Sequence, residues 1–170
     1  MTSSSQTRRN LLAGSAVAVG ATLLTGTAGL IVPAQARGLA PTPTMRGGAN
    51  NYRPGAPIMD RIGGGGFTMS GTVRRAGDGA PLEGIRIQIW AHTTEGYERD
   101  ERSHGATLTD ANGEFVMDMP QIVPAFGQPH GHLAYDADFD DLNFETVFLR
   151  PVMSSSSDTS LRTHFVLKPV

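Results

Sequence analysis

No cysteine occurs anywhere in the 170 residues. Disulfides, thiolate metal sites and thiol catalysis are therefore excluded, and stability has to come from a hydrophobic core. Charge of one sign is also missing: 14 Lys and Arg stand against 16 Asp and Glu, and no basic cluster lies beyond the N-terminal segment. Nucleic-acid binding thus has no electrostatic support. No apolar run reaches the length of a membrane span. Helical periodicity is scarce as well, and what remains is a set of short alternating segments separated by turn residues.

The N-terminus carries Thr7–Arg8–Arg9–Asn10–Leu11–Leu12, followed by a mildly apolar run to about Leu23. Consecutive arginines before a weakly hydrophobic, Gly/Ala/Thr-rich segment have the form of a twin-arginine export signal, and Ala34–Gln35–Ala36 offers a small-x-small cleavage site. Residues 1–36 are expected to be a signal peptide. The mature protein is expected to be periplasmic or extracellular, with no membrane association after cleavage. Residues 37–66 are rich in Pro, Gly and Asn and read as an extended arm or linker, with Tyr52 as an anchor.

From residue 67 to 170 the spacing predicts strands over Phe67–Arg75, Ile85–Trp90, Gly105–Thr109, Glu114–Met119, His130–Tyr135, Phe144–Leu149 and Arg162–Leu167. Ile85, Ile87 and Ile89 form the clearest period-two face, which leaves Trp90 on the opposite side and in need of a cover. Asp110–Ala111–Asn112–Gly113 reads as a hairpin turn. About seven strands in roughly one hundred residues make a single all-β sandwich the expected architecture.

The chemistry-bearing stretch is Pro129–His130–Gly131–His132. Histidines at i and i+2 of a strand share a face, with Cα atoms roughly 6.6 Å apart, so both imidazoles can reach one metal ion. Paired histidines in a polar loop are the plainer alternative. Of the remaining histidines, His92 and His104 read as solvated, His164 falls in the closing strand with nothing to single it out as a ligand, and Tyr135 falls on the face opposite His132. The acidic run Asp136–Asp138–Asp140–Asp141 lacks the ordered loop of a calcium site and reads as a solvated turn.

Taken in order, Gly71-x-Val73, Pro81–Leu82-x-Gly84, Ile87-x-Ile89–Trp90, Thr109–Asp110-x-x-Gly113-x-Phe115, Pro120 and Pro129–His130-x-His132 form a series. With Gly96–Tyr97 standing for a Gly-x-Tyr motif shortened by one residue, the series resembles the intradiol ring-cleavage dioxygenases, the catechol and protocatechuate group, and their short exported members in particular. The resemblance implies a β-sandwich holding non-heme Fe(III) through two tyrosines and two histidines. By that resemblance Tyr97, His130 and His132 are metal ligands, and the partners are a small aromatic diol and dioxygen. A homo-oligomer is left open.

Three departures stand out. The second tyrosine of the family's Pro-x-x-Tyr-Pro arrangement is replaced by Val123, within Pro120–Gln121–Ile122–Val123–Pro124. Gly127 stands where the family commonly has an arginine, and Thr146 loosely takes the place of a glutamine. Tyr52 is the remaining phenol that folding of the arm would bring over the site. Three expectations compete: an active dioxygenase, a sandwich that binds metal or aromatic ligands without turnover, and a different metal such as copper at a Tyr/His/His site.

Overall fold

The computed structural model of the protein describes residues 38–139 and 143–170. The expected signal peptide, its cleavage site and Arg37 lie outside the described residues, as do Asp140 and Asp141 of the acidic run.

Among the described residues seven strands form: β1 (Gly66–Arg75), β2 (Arg86–Ala91), β3 (His104–Leu108), β4 (Glu114–Pro120), β5 (Gly131–Tyr135), β6 (Val147–Leu149) and β7 (Ser160–Leu167). They make two sheets, one in the order β4-β1-β7 and one in the order β3-β2-β5-β6. The expected all-β sandwich is what these residues build. Alternation drives it: along β1, Phe67, Met69 and Val73 are buried between half-exposed neighbours. Within the same sheet they join Phe115, Met117 and Met119 of β4 and Phe165 and Leu167 of β7. Ile87 and Ile89 of β2 and Leu133 and Tyr135 of β5 complete the core from the second sheet. Gly71 interrupts the apolar face of β1 because a Cβ there would lie 2.0 Å from the Thr163 carbonyl oxygen.

One connection differs from the expectation. Asp110–Gly113 does not close a hairpin, because β3 and β4 belong to different sheets and β4 pairs with β1. The Asp110 carboxylate accepts the amides of Asn112 (2.9 Å) and Glu114 (2.8 Å), and only Gly113 takes a positive φ, 71°. A side-chain-capped turn of this kind redirects the chain as well as a hairpin turn does, and from sequence the two look alike.

The outer face of the second sheet is covered by residues 48–58. Successive outward side chains of β2 donate to carbonyls of this segment: Arg86 to Ala56 (2.5 Å), Gln88 to Arg53 (2.8 Å) and Trp90 Nε1 to Asn50 (2.9 Å). Farther along, Pro57 and Met59 exchange backbone hydrogen bonds with Ala106 of β3, each 2.8 Å. Every residue of β2 is consequently buried, its isoleucines by the core and Trp90 by this cover. Burying donors this way is tolerable only because each finds an acceptor.

Candidate metal centre

Trp90 lies directly opposite His132 of β5 and His104 of β3 in the sheet register, so three rings stand in a row on the covered face. They stack nearly parallel, with centroids 5.1 Å from indole to His132 and 5.5 Å from indole to His104. His130, two residues before His132 and just ahead of β5, projects to the same side, and its ring meets His132 edge-on at 5.0 Å.

Both ligand-candidate histidines have one nitrogen tied down. His132 Nδ1 lies 3.0 Å from the Gly48 carbonyl and His130 Nδ1 lies 2.8 Å from the Gln128 carbonyl. A carbonyl oxygen only accepts, so each Nδ1 carries the hydrogen. Arg150 also approaches His130 Nδ1, at 3.3 Å, a geometry that would need a bare nitrogen. The shorter carbonyl contact decides the tautomer. Each Nε2 is then left with its lone pair. Gly48 suits its part: its own Cβ would stand 2.7 Å from the Phe148 carbonyl, so only glycine brings this backbone close enough.

Both lone pairs face Glu98. Its Oε2 is 3.4 Å from His130 Nε2 and 3.3 Å from His132 Nε2, while its Oε1 accepts from Asn51 Nδ2 at 2.8 Å. Glu98, His130 and His132 are all buried, at 7, 2 and 0 % exposure. Glu98 Oε2 and His132 Nε2 have no hydrogen-bond partner. Three acceptor atoms converging in a buried site repel one another unless a cation lies among them. A shared proton would draw the nitrogen and oxygen closer, to about 2.8 Å. Donors about 2.1 Å from one ion lie ~3.0–3.4 Å apart, which matches the spacing found. The three ligand atoms all fall within 4.8 Å of one another. Two imidazoles and one carboxylate fit a mononuclear transition-metal ion, iron included.

No family model matches this chain, and no curated protein does. Solved structures do. The 3-chlorocatechol 1,2-dioxygenase of Rhodococcus opacus 1CP superposes with a TM-score of 0.56 at 16% identity, over 79% of this chain and 74% of that one. Hydroxyquinol 1,2-dioxygenase of Pseudomonas putida DLL-E4 gives 0.58 at 12% identity, over 78% and 68%. The dioxygenase domain of a dioxygenase–carbohydrate-binding fusion from Streptomyces sp. SirexAA-E gives 0.54 at 21%, over 77% and 100%. The fold is that of the intradiol dioxygenases.

On this intradiol-type sandwich the expected ligands separate. His130 and His132 come together as the spacing implied. Tyr97 is 56 % exposed, and its ring stacks on His92 at 4.9 Å with the Arg99 guanidinium 5.2 Å from its centroid. It lines a cleft of about 470 Å³ together with Glu98, Arg99 and Phe126. The anionic group set against both imidazoles is the carboxylate of the next residue, Glu98. Sequence reasoning missed it, although counting the Gly-x-Tyr motif from Gly96 without a deletion lands on residue 98. It also missed Asn51, whose φ of 57° lies in the left-handed region that asparagine tolerates.

Val123 is half-buried, its amide donating to the His92 carbonyl at 3.1 Å. Gly127 has a φ of 89°, so the backbone here does not suit the family's arginine. Thr146 caps the loop after β5 by accepting the Ala137 amide at 3.1 Å. Tyr52 packs on Trp90 and Phe148 and donates to Asp136. Burial and that carboxylate hold its phenol well above the ordinary tyrosine value, which keeps it protonated rather than a tyrosinate. Tyr135 belongs to the core, and His164 sits at the surface 2.8 Å from Thr72 Oγ1.

His104 is not solvated as its sequence context implied. It is 2 % exposed, and its Nε2 lies 2.8 Å from the Glu98 carbonyl. Burial lowers its pKa, as it does that of His132. Both stay neutral in the native protein at acidities where the unfolded chain takes up protons. Stability of the metal-free protein is therefore full above the ordinary imidazole value and falls below pH ~6.5, by up to about 1.4 kcal/mol per pH unit for each histidine. Urea titrations between pH 7.5 and 5.5 should show that loss; a flat profile would mean the rings are protonated in the fold.

Proposed function

We propose that this chain is an exported non-heme iron dioxygenase-like protein that cleaves catecholic aromatics between their hydroxyl-bearing carbons using dioxygen. The observation that carries this reading is the convergence of Glu98, His130 and His132 on an intradiol-type sandwich, beside a cleft walled by aromatic rings. His130 and His132 would hold the iron, with an anionic oxygen from the Tyr97–Glu98 pair as the third ligand. An iron ion bound there supplies an open Lewis-acidic position for a diol and dioxygen, and the resemblance makes it ferric.

What the protein's own residues contribute is orientation and exclusion of water. Gly48 and Gln128 hold the two imidazoles in one tautomer, Asn51 fixes the carboxylate, and Trp90 backs His132. His92, Tyr97 and Phe126 offer flat apolar surfaces to a planar ring in the cleft. Secretion through the twin-arginine route would deliver the protein already folded and loaded.

The test is oxygen consumption by iron-loaded protein with a panel of catechols. Uptake that depends on both iron and diol is expected. A second reading, a scaffold that binds such ligands without turnover, is favoured by Val123 and by the backbone at Gly127. It predicts saturable catechol binding and no oxygen uptake.

A further inference from the structure

We propose that Glu98, and not Tyr97, is the anionic ligand, and that the centre is a carboxylate–bis-imidazole site for a divalent ion, ferrous iron foremost, rather than a ferric tyrosinate. The inference deepens the proposed function: it rests on that reading's metal centre but not on its ring cleavage.

Geometry comes first. Glu98 is the acidic residue whose unpartnered oxygen lies 3.3 Å from the equally unpartnered Nε2 of His132 and 3.4 Å from Nε2 of His130. Its other oxygen is anchored by Asn51, which leaves Oε2 with one direction to face. Such carboxylate anchoring around a metal is what orients a ligand and sharpens its affinity. The Tyr97 ring, by contrast, is engaged by His92 on one side and by Arg99, and more than half of the residue is exposed. Ligation would require the ring to leave the His92 stack.

Charge and donor chemistry follow. One carboxylate with two neutral imidazoles carries a single negative charge. That set leaves a divalent ion with one positive charge and a trivalent ion with two, in a site almost closed to water. With Val123 where the resembled family has a second phenolate, Glu98 is the one acidic group gathered with the two histidines among the described residues. A mononuclear site of two histidines and one carboxylate with open positions is the donor set suited to Fe(II). A carboxylate also lacks the phenolate orbital whose charge transfer colours ferric tyrosinates, so the protein should be colourless.

The experiment titrates metal-free protein with Zn(II) by calorimetry and, without air, with Fe(II), then records visible spectra after ferric loading. It compares the natural protein with Tyr97→Phe, Glu98→Gln and Glu98→Tyr. One ion per chain is expected, with Tyr97→Phe binding as the natural protein does. Glu98→Gln, which keeps the shape and removes the charge, should bind on the order of 100-fold more weakly. The natural protein should show no visible charge-transfer band, and ferric Glu98→Tyr should acquire one. A band in the natural protein that vanishes in Tyr97→Phe overturns the assignment, and so does undiminished binding by Glu98→Gln. If Glu98→Tyr does not fold, the other two variants still decide. Glu98-dependent binding without oxygen uptake from catechols would remove the ring-cleavage reading and leave this one standing; uptake with a Tyr97-dependent colour would do the reverse.

Discussion

Saturating Zn(II) should raise the melting temperature of the metal-free protein by on the order of 10 °C, and the increment should vanish in His132→Ala. At free metal a thousandfold above the dissociation constant, binding to the native state alone stabilises it by about 4 kcal/mol, which for a domain of this size gives a shift of that order. The comparison has to be made as a difference of differences. His132→Ala also removes a ring from the Trp90 stack, where the centroids are 5.1 Å apart, so its metal-free stability changes too. It further relieves part of the clash of acceptors around Glu98 Oε2. Only the metal-induced increment, measured within each variant, isolates ligation. Differential scanning calorimetry with and without Zn(II) gives both numbers. An equal increment in the two proteins would mean that the ion binds elsewhere.

The second large effect is expected at Trp90. It is fully buried, lies between His104 and His132, and touches Tyr52 from the covering segment at 5.6 Å between centroids. Trp90→Ala should cost about 3–5 kcal/mol, the range for deleting a buried large aromatic residue. Trp90→Phe separates volume from polarity. It keeps a ring to stack but deletes the Nε1 donor to the Asn50 carbonyl at 2.9 Å, leaving that oxygen short of a partner. A loss of about 1–3 kcal/mol is then expected. Because Asn50 neighbours Asn51, which holds Glu98, Trp90→Phe should also weaken Zn(II) binding about tenfold or more. Urea denaturation checks the first claim and calorimetric titration the second. Unchanged metal affinity in Trp90→Phe would show that the cover and the centre are independent.

These two residues also mark how far the sequence can be read. The isoleucine alternation of β2 dictated the core face and put Trp90 on the other side, where a cover was needed. Ile87 and Ile89 face the core as their spacing implied, and Tyr135 joins them there from the face opposite His132. His130 and His132 converge because period two in an extended chain leaves little choice. Glu98 was illegible for a different reason. A motif short by one residue can be mended by deletion, which favours the tyrosine present, or by substitution, which favours the glutamate after it. Residue types alone do not choose between the two. Only the backbone path from Trp90 through the Thr93–Gly96 turn does, and it sets residue 98 inward and residue 97 outward. His104 misled similarly: a polar neighbourhood in sequence said nothing of the indole beside it in space.

The covering segment has a corollary. Gly48 and Asn51 both touch the centre's own side chains, and both sit in a stretch fastened to the sheet by side-chain donors rather than by a continuous strand ladder. When that stretch peels away, His132 loses the carbonyl and Glu98 the amide that orient them. Affinity for an ion bound there would then follow the backbone's opening equilibrium as well as the strength of the bonds themselves, so that stiffening the cover would tighten the site without touching a ligand.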